Sequence, residues 1–218
     1  MKKTNITQLC EFYKIANFSI NDDYTVDVQG SVDLKSQALI EIPFKFNSVT
    51  GNFNCSKNKL ISLKGVPNTV GGDFCCFSNN LVNLAGSPNK ITGDFYAYDN
   101  PLKTLIGSPR KLTGNFCIGG THLTNLIGCP PFIGGVFSFD GSLISTYSND
   151  IDIEILGDVN LNNGEFNHQE LPCTILKNRN YLKIILKYQN YYSIWNHDET
   201  FNEANFEIML EDIIDNTL

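Results

Sequence analysis

The chain has 218 residues, with 16 Lys plus Arg against 23 Asp plus Glu, and its net charge of −7 without a basic patch argues against a nucleic-acid partner. Hydrophobic residues reach 42%, enough for a sizeable core, but no apolar run approaches the length that spans a membrane. Seven cysteines, an odd number and none in a zinc or redox spacing, fit a cytosolic protein that needs no metal or cofactor.

In chain order, residues 4–16 read as a short helix, because Ile6, Leu9, Cys10 and Tyr13 fall on one stripe and Thr4 or Asn5 can cap it. Alternating runs at residues 18–20 and 25–28, separated by Asn21-Asp22-Asp23, signal a hairpin. Residues 1–29 are therefore expected to close the N-terminal end of whatever core follows.

From residue 30 a unit of 21 residues recurs, clearest at residues 72–92, GDFCCFSNNLVNLAGSPNKIT. Its opening glycine returns at Gly30, Gly51, Gly93, Gly114 and Gly135 and, after one extra residue, at Gly157. Starts held in phase over this length mean a repeat solenoid. In each full copy two apolar residues alternate (Phe53 and Cys55, Phe74 and Cys76, Phe95 and Ala97), which marks a short strand with one face inward. An asparagine follows, at Asn58, Asn79 and Asn100, and then a leucine pair such as Leu81 and Leu84. Gly86 with Pro88, and their equivalents in the other copies, exclude a helix on the return side, which should be extended or polyproline-like.

Regularity decays toward both ends. The copy from Gly30 has Gln37 in place of the asparagine, and the copy from Gly135 has Ser142 there, Tyr147 in a leucine position and an insertion at residues 150–153. After Leu171 the spacing becomes helical. Tyr181, Leu182, Ile185, Leu186 and Tyr188 predict one helix, and Thr200-Phe201-Asn202-Glu203 reads as a capping box opening a second, with Phe206, Met209, Leu210, Ile213 and Ile214 inward. The resulting division is an N-terminal cap at 1–29, a solenoid of about seven coils at 30–165 and a helical C-terminal cap at 166–218.

The pattern F-x-C-x-x-N-x-L-x-x-L-x-G-x-P-x-x-V resembles a leucine-rich repeat. With the helix, the hairpin and the join Val26-Asp27-Val28-Gln29-Gly30-Ser31-Val32-Asp33-Leu34, the chain resembles leucine-rich-repeat proteins of large tailed bacteriophages over residues 1–165. The resemblance implies a parallel β-sheet on a concave face, a non-helical convex side and a ladder of buried amides at Asn58, Asn79 and Asn100 bonded to the backbone of neighbouring coils. A buried amide is tolerable only when so satisfied. It also implies a viral protein without enzymatic activity, acting in the host cytoplasm by binding a host protein, for example a defence component that it modulates or inhibits. Coil length and proline placement are similar to bacterial effectors that join such repeats to a ubiquitin-ligase domain. That catalytic domain has no room here, so its activity does not transfer.

The outward strand face is where repeat proteins usually bind. Phase places Phe77, Tyr96 and Tyr98 there, bordered by Asp73, Asp94 and Asp99. Exposed aromatics rimmed by acids have the composition of a binding hot spot, although strand propensity alone also favours Tyr and Phe. A nucleotide-like small molecule stacked on Tyr96 and Tyr98 is the alternative, disfavoured by acids around a phosphate. An enzyme built on Cys117, His122 and Asp140 comes third, because His122 falls beyond the turn; Cys75 is the other outward thiol. No two of His122, His168 and His197 share a metal-ligand spacing.

The charge sits at one end. Residues 1–29 hold three Lys/Arg against four Asp/Glu, residues 30–157 nine against nine, and residues 158–218 four against ten, so −6 of the total −7 lies in the last part. Glu203, Glu207, Glu211 and Asp215 share one helical face. That face is either simply solvated or a docking strip for a basic protein.

Overall fold

Helix α1 (Lys3–Phe12) buries Ile6 and Cys10 and starts at Lys2 without a side-chain cap, so neither Thr4 nor Asn5 serves as one. It stops short of residue 16 because Lys14 turns left-handed, at φ 55°, and the Ile15 N–H reaches back to the Cys10 carbonyl at 2.8 Å. Strands β1 (Phe18–Ile20) and β2 (Val26–Val28) then form the expected antiparallel hairpin, Ser19 opposite Asp27. Its turn is fixed by the Asp23 carboxylate, which accepts both the N–H and the hydroxyl of Thr25. The structure, a computed structural model, describes residues 2–140, 145–148, 153–162 and 171–218.

Each coil contributes two short strands on adjoining faces. The first face collects β3 (Val32–Asp33), β5 (Phe53–Asn54), β7 (Phe74–Cys75), β9 (Phe95–Tyr96), β11 (Phe116–Cys117), β13 (Phe137–Asp140) and β15 (Val159–Asn162) into a seven-stranded parallel sheet. The second collects β4 (Phe46–Val49), β6 (Thr69–Val70), β8 (Lys90–Ile91), β10 (Lys111–Leu112), β12 (Phe132–Ile133) and β14 (Glu154–Ile155), and the hairpin extends it to eight strands. The molecule is thus a parallel β-solenoid of about six turns. The return side is extended, as the glycines and prolines demand, and it goes further by pairing into a sheet of its own.

Register follows from the repeat. Phe53, Phe74, Phe95, Phe116 and Phe137 lie directly beside one another in the first sheet, and the extra residue before Gly157 is absorbed in the last step, where Phe137 pairs with Val159. The five rings are fully buried and run along the core, with centroids 5.8, 5.3, 5.4 and 5.5 Å apart. Each ring removed from water contributes about 2–3 kcal/mol. Cys55, Cys76, Ala97 and Ile118 fill the next inward slot, and the leucine pairs at 60/63, 81/84 and 102/105 complete the layer with no exposure. Val70, Ile91, Leu112 and Ile133 close it from the second sheet.

At the C-terminal end come α2 (Cys173–Lys177), a 3-10 turn (Arg179–Tyr181), α3 (Leu182–Tyr188) and α4 (Glu203–Ile214). Leu182, Ile185 and Leu186 are buried, α3 contacts β14, and the Lys183 ammonium bonds the Leu156 carbonyl at 2.8 Å. A buried polar knot joins the helices to the coils: Thr146 donates to the Gln189 side-chain oxygen, Gln189 to Ser148, and the Trp195 indole N–H to Thr146. Two expectations for α4 need correction. Its cap is Asn202, whose side chain accepts the Asn205 N–H, while Thr200 is engaged by Asp198. Ile214 is 60% exposed, whereas Phe206, Met209 and Ile213 are buried and Leu210 packs partly buried against the core.

Ser142, residues 150–152 of the insertion, His168 and the division at 165/166 lie outside the described residues. Among the described residues no helix is long and apolar enough to cross a membrane.

Candidate functional site

Two ladders of side-chain oxygens make the coils stack, and they decide which outward residues are free. The first is the asparagine ladder. The Asn79 amide donates to the carbonyls of Cys55 and Cys76, and its oxygen accepts the Leu60 N–H at 3.0 Å. Asn100 repeats this one coil on, with Cys76, Ala97 and the Leu81 N–H as partners. Asn58, which is half-buried and not buried as expected, accepts from Gln37 and Leu39 and donates to Leu34 and Cys55. Just before each of these asparagines the chain is left-handed, at Lys57, Ser78 and Asp99 with φ 55°, 52° and 53°.

The second ladder was not anticipated. Ser31 accepts the Asn52 N–H, Asn52 that of Asp73, Asp73 that of Asp94, Asp94 that of Asn115 and Asn115 that of Val136, each from the slot after the repeat glycine. The glycine is required by close approach: a Cβ on Gly93 would lie 2.3 Å from the Asp73 Oδ1. The sequence did carry the signal, since Ser, Asn, Asp, Asp and Asn in one slot are all short acceptors. Asp73 and Asp94, read as rim acids, are therefore half-buried structural groups with one oxygen each committed to the backbone.

Over this frame the aromatic patch assembles as the phase predicts. Phe77 and Tyr98 stack with centroids 4.5 Å apart and planes 11° from parallel. Tyr96 meets Tyr98 edge-on, at 6.4 Å and 82°. The Tyr96 hydroxyl donates to the second oxygen of Asp94 at 2.7 Å. That bond, with burial behind it, pushes the Tyr96 hydroxyl pKa up, and burial followed by the charge of Asp99 raises that of Tyr98. Asp99 itself is exposed at the margin. The perpendicular rings mean that a flat ligand can lie face-on against only one of the two tyrosines.

Beside Tyr98 lies a depression of about 390 Å³ lined by Tyr96, Tyr98, Asp99, Cys117, Gly119, Gly120 and Ser138. All four aromatic and glycine slots come from neighbouring coils, since Asp99 N–H bonds the Gly119 carbonyl at 2.9 Å and Cys117 pairs with Tyr96. Ser56, one coil before Phe77 in the repeat, is fully buried, its hydroxyl donating to the Asn54 side-chain oxygen.

The outward thiols are held protonated. Burial first, then Asp73 and Asp94, pushes Cys75 up to about 11, and burial then Asp94 raises Cys117. His122 and His197 are exposed, and the Asp140 side chain lies outside what the structure describes. Among the described residues no three His, Cys, Asp or Glu side chains cluster as metal ligands.

No family model, curated protein or solved structure matches the chain.

Proposed function

We propose that the chain is a leucine-rich-repeat protein, closed at its C-terminal end by its helices, that binds another protein through the outward face of the seven-stranded sheet. The observation that carries this reading is the aromatic group of Phe77, Tyr96 and Tyr98, held half-exposed beside a depression on an otherwise polar face. Rings fixed in place by a bond to Asp94 and by stacking lose little further freedom on binding, which is what makes tyrosine effective at the centre of an interface. The resemblance to phage leucine-rich-repeat proteins makes the partner a host protein in the host cytoplasm, modulated or inhibited by occlusion. A binding role is favoured over catalysis because both outward thiols sit above the thiolate range and a thiol so held is a poor nucleophile.

A photo-cross-linking amino acid at position 138, on the lip of the depression, tests the reading against the same group at Lys90, exposed on the second sheet. A single stoichiometric host protein captured from position 138 and not from position 90 supports it. Equal capture from both positions, or capture from position 90 alone, contradicts it.

A further inference from the structure

The slot three residues after each inward phenylalanine that starts a strand carries a ring in two successive coils and then leaves it out: Phe77, Tyr98, Gly119. Coils of a solenoid rise by about one strand spacing, ~4.8 Å, and the Phe77–Tyr98 stack at 4.5 Å follows that rise. Gly119 is in register for the next ring, because the Asp99 N–H bonds its carbonyl. The depression lies on this side of Tyr98 and Phe77 does not line it. The result is a depression with the face of Tyr98 that Phe77 leaves uncovered as one wall, Tyr96 edge-on as another, and Ser138 across Cys117 from Tyr96.

The charges around the slot have one sign. Asp99 stands exposed at its margin, and Asp94 is tied to the Tyr96 hydroxyl. The cations of these coils are Lys90, Lys103, Arg110 and Lys111; none of them lines the depression, and Lys90 and Lys111 belong to the second sheet. A neutral ring would fill the space but leave Asp99 without a counter-charge, whereas a compact ammonium would not cover the face of Tyr98. A guanidinium is planar, stacks on aromatic faces and carries the complementary charge.

We infer that this slot receives an arginine side chain of the partner, stacked on Tyr98 over Gly119 and paired with Asp99. The inference rests on the protein-binding reading above and names the anchor that reading lacks.

The test is a nuclear magnetic resonance titration of the whole protein with N-acetyl-arginine methylamide, compared with the citrulline compound, equally planar but uncharged. Arginine is expected to shift the Tyr98 ring protons and the Gly119 and Gly120 amides saturably, and to bind about fivefold or more tighter than citrulline. Gly119→Phe continues the stack, fills the slot and abolishes the response. Gly119 is not among the positive-φ glycines, so its backbone admits a side chain. Should that variant fail to fold, Tyr98→Leu removes the wall and has the same expected effect. Equal affinity for citrulline, no saturable shift at Tyr98, or an unchanged response in the variant that folds overturns the arginine slot. These outcomes leave a partner cross-linked at position 138 untouched, and a slot that selects arginine while no protein is cross-linked there contradicts the protein-binding reading alone.

Discussion

The Oδ1 of Asp73 accepts the backbone N–H of Asp94 at 2.9 Å, across one whole coil of the chain. A carboxylate on the outward face thus does the work of a strand hydrogen bond. Asp73→Ala leaves that N–H without its partner and is expected to cost about 1–2 kcal/mol in urea unfolding, while Asp73→Asn, which keeps an acceptor, stays close to wild type. Alanine and asparagine variants of equal stability would show that the ladder contributes nothing.

Asn79→Leu and Asn100→Leu strip a buried amide of similar size from between two coils; the first leaves the Leu60 N–H without its partner, the second the Leu81 N–H and the Ala97 carbonyl. Each is expected to lower stability by about 2–3 kcal/mol. Unchanged melting temperatures for both would contradict the ladder.

These two ladders show how far the sequence could be read. The inward phenylalanines and leucines were legible because burial admits only apolar types at a fixed period. Asn79 stood out because an amide between leucines has no role in a core except to satisfy backbone groups. Asp73 and Asp94 carry no such mark: an acid that bonds the next coil looks like an acid in water until the coils are stacked. The left-handed positions at Lys57, Ser78 and Asp99 were invisible because no glycine flags them. Gln189 gave no warning either, since its partners Thr146 and Ser148 lie more than 40 residues away in sequence. Within the candidate site, phase alone placed Phe77, Tyr96 and Tyr98 together, but the slot at Gly119 depends on the stacking.

Asp27 joins the N-terminal hairpin to the first coil. Its carboxylate accepts from Ser48, Asn47 and Asn21, and the bond from Ser48 foremost holds its pKa below the ordinary value. A carboxylate depressed in the folded state binds its proton more readily when unfolded. Its stabilisation is therefore complete above about pH 4 and is lost as pH falls through the folded pKa. Asp27→Asn should be less stable than wild type at pH 7 and should lose less on going to about pH 3, read as urea midpoints at each pH. Parallel pH profiles would remove Asp27 from the account of acid unfolding.

Deleting residues 172–218 removes α2, α3 and α4, uncovers the apolar residues of the last coils and strands Thr146 and Ser148 without Gln189. The truncated chain is expected to aggregate through its open end. A soluble monomer with the circular-dichroism spectrum of a folded solenoid would show the helices to be an appended module.

The central claim is that the partner docks on the rings of the seven-stranded sheet. Changing Tyr96 and Tyr98 together to Ala removes the stack on Phe77 and the bond to Asp94, so a loss of about 1–2 kcal/mol in stability is expected with the fold retained. Glu203→Lys with Glu207→Lys, on the exposed face of α4, is the matched control. The deciding measurement is the calorimetric affinity of each variant for the partner cross-linked at position 138. The tyrosine pair should bind at least about thirtyfold more weakly than wild type and the charge reversal should bind as wild type does. Wild-type affinity in the tyrosine pair, with binding lost in the charge reversal, would place the partner on α4 and contradict the account.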